Sequence, residues 1–128
     1  MKQFYSCIDS KIPSPQREQH MIIDSYVCRL GGSVTYSTSE DFVLRDQQKW
    51  IFERVARISG IDGVIFFTID QFFCEMKFNE ELIRKFIMSG REVHFAREQL
   101  SFTSEEQLNS SESKSLFVFF QALSYLSS

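Results

Sequence analysis

Gly63-Val64-Ile65-Phe66-Phe67-Thr68-Ile69, closed by Asp62 before it and Asp70 after it, is the stretch on which the fold turns. An almost unbroken apolar run bounded by carboxylates is what a central parallel strand requires, because neither row of alternating side chains meets water. Such a strand needs a helix above and a helix below, and the flanking sequence supplies both. Upstream, Gln47 to Ser59 carries Trp50, Ile51, Val55 and Ile58 at three- and four-residue spacing, which predicts a helix with those residues inward. Downstream, Asn79 to Ser89 places Leu82, Ile83, Phe86 and Ile87 on one helical face, and Gly90 stops it.

Working outward, Phe4 to Ile8 reads as a first strand, ended by Asp9, Ser10 and the loop prolines Pro13 and Pro15. Gln16 to Leu30 then repeats Ile22, Ile23, Tyr26, Val27 and Leu30 along one helical face before Gly31 and Gly32. Ser33 to Tyr36 is a second strand, and a polar segment from Ser37 to Asp46 leads onward. Glu92 to Phe95 is a fourth strand, with a short further strand near Leu100 to Phe102. Ser104 with Gln107 marks a helix start. Glu112 to Leu126 makes the last helix, with Phe119, Phe120 and Leu123 expected inward. The alternation predicts one α/β domain over residues 1–128, a three-layer sandwich around a mostly parallel four- or five-stranded sheet.

The balance of charge bears on partners. The chain has 14 basic and 17 acidic residues, a net charge of −3, with the basic ones scattered. Duplex DNA binding draws on clustered Lys and Arg, so the expectation is no duplex DNA. The chain also holds 14 Phe, a large aromatic payload for 128 residues. It suits either a Phe-rich core or a partner interface, and a homodimer or higher homo-oligomer is expected. Cys7, Cys28 and Cys74 form no CxxC pair and follow no leader-like segment, so reduced thiols in the cytoplasm and no membrane span are expected. No zinc-ligand spacing and no glycine-rich phosphate loop occurs, and the sequence indicates no particular cofactor or metal.

In parallel sheets of this kind ligands sit beyond the C-terminal strand ends. Those ends carry Cys7, Asp9 and Ser10 after the first strand, Thr68 and Asp70 after the third, and Arg97 and Glu98 after the fourth. Asp9, Asp70 and Glu98 are the candidate catalytic set, because paired carboxylates serve acid–base chemistry or hold a divalent cation. Capping the following turns is the alternative role for the same carboxylates. Ser10, His94 and Arg97 are candidate ligand contacts. Cys7 lacks the positive surroundings that activate a thiolate and is expected to be buried and inert.

The order of elements and their end residues resembles the catalytic domain of serine recombinases, the resolvase–invertase family, over about residues 3 to 102. Tyr5-Ser6-Cys7-Ile8-Asp9-Ser10 stands where that family has its first-strand arginine and serine. Gln19 matches its helical glutamine, and Ile69-Asp70-Gln71-Phe72-Phe73-Cys74 its second motif. The resemblance implies a resolvase-like fold and adds Gln19 and Gln71 to the candidate ligand contacts. By the same match Cys7 replaces an arginine, Asp9 the nucleophilic serine, and Gln71 and Cys74 two further arginines. Phosphoryl transfer needs such cations to stabilise developing charge, so recombinase chemistry is not expected.

Pro15-Gln16-x-x-Gln19, the Glu40 region, Asp62-Gly63-Val64-Ile65-Phe66-Phe67 and His94-Phe95-Ala96-x-Glu98 are similar to a small protein family encoded sporadically in bacterial surface-polysaccharide gene clusters. That resemblance implies an accessory protein of surface-polysaccharide biosynthesis, binding a sugar or nucleotide-sugar intermediate or a partner enzyme. Two other expectations stand beside it: a small enzyme acting on such an intermediate through Asp9, Asp70 and Glu98, and a degenerate recombinase-like oligomerisation module.

Overall fold

The computed structural model describes residues 1–40, 47–74 and 77–126. The chain runs β1 (Lys2–Asp9), α1 (Gln16–Arg29), β2 (Gly32–Glu40), α2 (Gln47–Ala56) and β3 (Gly63–Phe66). A 3-10 turn (Ile69–Phe72) follows, then the two-residue strands β4 (Phe73–Cys74) and β5 (Lys77–Phe78), and α3 (Glu80–Met88). The remainder is β6 (Glu92–Phe95), β7 (Leu100–Phe102), α4 (Glu105–Leu108) and α5 (Ser111–Leu126). The main sheet has five strands in the order β2-β1-β3-β6-β7. The first four are parallel, and β7 turns back antiparallel on β6. The architecture is thus the α/β sandwich with a mixed, mostly parallel sheet that the sequence predicts.

Every residue of β3 is buried. Its alternating side chains divide the interior in two. Val64 and Phe66 join Tyr5, Cys7, Val93 and Phe95 beneath α2, α3 and α5. Ile65 joins Phe4, Ile8 and Phe67 against Ile23, Tyr26 and Val27 of α1. Much of the phenylalanine content fills the first of these cores. Phe66 meets Phe72 edge-on at 4.6 Å between centroids and stacks on Phe95 at 6.0 Å, the offset and perpendicular geometries that ring quadrupoles favour. Gly63 lets β1, β3 and β6 close up around Phe4. A Cβ there would stand 2.9 Å from the Glu92 carbonyl oxygen and 3.0 Å from the Phe4 ring.

Several expectations are corrected. The apolar run ends as a strand at Phe66, because Thr68 caps the 3-10 turn that follows. β2 continues through Glu40, and residues 41–46 of the expected polar connection lie outside the described residues. Trp50, expected inward, is 52% exposed on α2. Ile22 on α1 and Leu30 just after it are exposed, and Phe119 is 58% exposed on α5. Periodicity marks the apolar side of a helix, but the neighbouring layer decides how wide a stripe it covers. The β4–β5 hairpin was not expected. It places Phe78 against Phe117 and Phe120 of α5, at 5.8 and 5.1 Å between centroids.

Candidate functional site

At the C-terminal end of the parallel ladder, buried polar side chains bond to main-chain groups. Gln19, fully buried in α1, grips the last residue of β1: the Asp9 N–H donates to Gln19 Oε1 at 3.0 Å. Gln19 Nε2 donates to the carbonyls of Asp9 and Ser14, each at 2.9 Å. Gln71, also fully buried, donates through Nε2 to the Cys7 carbonyl at 3.1 Å and accepts the Thr68 N–H at 2.9 Å. Its own carbonyl accepts from Gln48 Nε2, and Gln48 Oε1 accepts from Asn79, whose side chain caps α3. Gln48 gives no signal in the sequence, where an amide on a helix looks the same whether solvated or buried; Asn79 marks a helix start there, but its bond to Gln48 does not show.

Glu98 works on the same turn. Its carboxylate accepts from the Thr68 hydroxyl at 2.7 Å and from the Ile69 N–H at 3.0 Å, so it caps the 3-10 turn from the β6–β7 connection. Arg97 lies over the Phe67 ring and donates to Glu98 Oε2 at 3.0 Å and to Asp70 Oδ2 at 3.2 Å. Asp70 and Glu98 therefore meet through Arg97, with Asp70 more than half exposed. Asp9 is buried at the end of β1, where one carboxylate oxygen accepts the Lys11 N–H at 2.8 Å. Ser10 extends the sheet instead of pointing into a reaction centre: its N–H and hydroxyl both reach the Glu40 carbonyl. Among the described residues no group of three His, Cys, Asp or Glu side chains could hold a metal ion.

Cys7 lies fully buried beside Thr38, whose hydroxyl is 3.6 Å from the sulfur. Burial pushes its thiol well above the ordinary range, which keeps it protonated. On the same sheet face Arg54 of α2 links the Tyr5 hydroxyl, at 3.1 Å, to Glu40, at 2.6 Å, and those bonds raise its pKa further. A groove of about 550 Å³ lies elsewhere, between α3 and α5, and takes none of the strand-end candidates into its lining. If Glu98 is chiefly a cap, Glu98→Ala should cost about 1–3 kcal/mol of stability in urea unfolding followed by circular dichroism. Asp70→Ala, which removes only exposed ion-pair contacts, should change stability by less than about 1 kcal/mol. Equal effects would show that Glu98 does not hold the turn.

His94 belongs to the opposite layer. It is 2% exposed on the α1 side of the sheet, edge-on to Phe4. Nδ1 is 2.8 Å from the Tyr26 hydroxyl and Nε2 is 2.9 Å from Glu92, whose other oxygen takes Lys2 at 2.5 Å. A neutral ring that donates from Nε2 to Glu92 accepts at Nδ1 from the Tyr26 hydroxyl, whose single hydrogen is shared with the Leu100 carbonyl at 3.2 Å. Burial lowers the His94 pKa, against the opposing pull of Glu92. Burial also opposes ionisation of Glu92, but hydrogen bonds from Lys2 and His94 outweigh it and hold that carboxyl below its usual range. Below the free imidazole value of about 6.5 the unfolded chain therefore takes up a proton that folded His94 resists. Stability contributed by neutral His94 is present above that pH and is lost as pH falls through the lower folded value. The urea midpoint should drop between pH 7.5 and 5.5, and His94→Gln should flatten that drop; an equal drop in the variant would assign it to other groups.

No protein-family model matches the chain, and no curated protein matches it. Solved structures do. The chain is similar to the N-terminal catalytic domain of TP901-1 integrase, with a TM-score of 0.68 at 11% identity, over 98% of this chain and 96% of that one. It is also similar to a resolvase family site-specific recombinase from Streptococcus pneumoniae, with a TM-score of 0.64 at 12% identity, over 99% of this chain and 88% of that one. At such identities the likeness is one of fold, and it gives the chain a resolvase/integrase catalytic-domain-like fold.

Proposed function

We propose that this chain works by association and not by catalysis: a recombinase-fold module that joins a second copy of itself through α5. The observation that carries the proposal is the outer face of that helix. Ser115, Val118, Phe119 and Ala122 follow helical spacing and are all exposed, with Val118 at 72% and Phe119 at 58%. No residue from Ser115 to Leu126 is charged. Two such helices crossing antiparallel near Val118 and Phe119 set apolar against apolar, while Ser115 and Ala122 leave room on either side for the other backbone. A contact of that kind is isologous and closes as a dimer.

The strand-end residues support the same reading. Gln19, Gln71 and Glu98 are committed to main-chain groups, and Cys7 is a buried thiol. Light scattering should give a mass above that of the 15.0 kDa chain, and Phe119→Glu should lower it. An unchanged mass in the folded variant would overturn the α5 contact.

A cytoplasmic place in surface-polysaccharide assembly belongs to the proposal too, supported by the sequence resemblance and by no feature of the strand ends. Thermal-shift screening with sugar nucleotides, divalent cations and a DNA duplex should give no saturable stabilisation. Stabilisation by a sugar nucleotide that Asp70→Asn abolishes would replace the association reading with a ligand-binding or enzymatic one.

A further inference from the structure

We infer that the two adjoining grooves around the first turns of α3 bind a peptide segment of acidic and apolar residues from a partner protein. Basic residues scattered in the sequence gather there. Lys77, Arg84 and Lys114 line the groove between α3 and α5. Lys49 and Lys85 line a smaller one, of about 140 Å³, between α2 and α3, and the two share Asn79 and Glu81. Five of the chain's 14 basic residues thus stand in these walls, against two of its 17 acidic ones, Glu80 and Glu81. The chain as a whole carries a net charge of −3, so this face runs against the balance of the molecule. Arg84 pairs with Glu80 at 3.6 Å. Among the described residues the four lysines have no ion-pair partner.

The larger groove has a direction. Phe78 N–H donates to Gln121 Oε1 at 3.0 Å, which sets β5 and the start of α3 beside the later turns of α5. Arg84 reaches Asn109 at 3.2 Å, just ahead of α5, so the two helices flank the groove in opposite directions. Lys77 therefore marks one end, and Lys114 with Arg84 the other. The helical rise from Lys114 to Gln121 makes the groove about 10 Å long. Between its ends lie Phe78 and Phe117, with ring centroids 5.8 Å apart, and the exposed Val118. Cations at both ends of an apolar strip call for an occupant with acids at its ends and apolar side chains between. An extended peptide rises about 3.3 Å per residue, so acids three residues apart span that length. A nucleic acid fits less well. Its phosphates would pass Glu80 and Glu81, and Phe78 and Phe117, 4% and 5% exposed, offer no free ring face for a base.

This site goes beyond the self-association of α5, which it meets only at Val118. The probe is a fluorescein-labelled peptide with two leucines between pairs of aspartates, titrated by anisotropy at low ionic strength. It should bind saturably, and Lys77→Gln with Lys114→Gln should weaken it about tenfold. Lys11→Gln with Arg17→Gln makes the same change of net charge outside the grooves and should leave the affinity unchanged. Serines in place of the probe's leucines should also weaken binding, because the apolar strip then has nothing to cover it. Circular dichroism confirms that each variant is folded. No saturable binding, an equal loss in the two charge variants, or equal affinity for the serine probe overturns the proposal. A single-stranded oligonucleotide that binds more tightly, and loses that binding with Lys77 and Lys114, overturns it in favour of nucleic acid. A Phe119→Ser protein should bind the probe as the native one does; binding in that variant alone would give the groove to a second copy.

Discussion

The carboxamide of Gln71 is the constraint on which the site depends. A parallel strand stops with carbonyls and amides still aimed sideways, and in a buried sheet those groups cannot turn to water. Gln71 takes the Thr68 amide with its Oε1 and adds a bond from Nε2 to the Cys7 carbonyl, which also accepts the Phe67 N–H, so one side chain joins β1 to the turn after β3. Gln48 and Asn79 continue the chain of amides to the start of α3. A buried amide network of this kind tolerates little, since removing one member leaves its partners unsatisfied in a medium of low polarity.

That constraint bears on chemistry. A group that moves protons or holds a ligand must offer a lone pair or a hydrogen to something that comes and goes. Gln19, Gln71 and Glu98 have instead made standing bonds to the backbone, and Arg97 spans two carboxylates over the Phe67 ring. The aromatic interior is equally settled, with rings locked edge to face around Phe66 and Phe72. Apolar side chains that stay exposed, among them Val118 and Phe119 of α5, lie at the periphery.

The central strand, the flanking helices and the place of the strand-end residues were legible in the sequence. Burial on both faces writes a continuous apolar run, and burial on one writes a helical stripe. Gln19 and Gln71 were also found, though through resemblance and as ligand contacts; their binding to main-chain groups shows only in three dimensions. Gln48 carried no signal because polarity alone does not tell a solvated amide from a buried one, and Asn79 was legible only as the start of a helix. β4 and β5, with two residues each, are too short for alternation to show. His94 lies near the end of β6, but strand alternation turns it toward α1 and Tyr26, away from the layer of Phe66 and Phe95.

Trp50 is the only tryptophan, and it stands half in solvent on α2 while the buried hydrophobic rings are those of phenylalanine and tyrosine. Its emission in the folded protein already belongs to an indole in contact with water. Unfolding therefore has little left to change in that signal, and the phenylalanine rings that lose their packing emit too weakly to replace it. A molecule settling on the outer face of α2 would dry the indole and move its emission toward the blue. In this fold intrinsic fluorescence is a gauge of who touches α2, and a poor gauge of whether the core is intact.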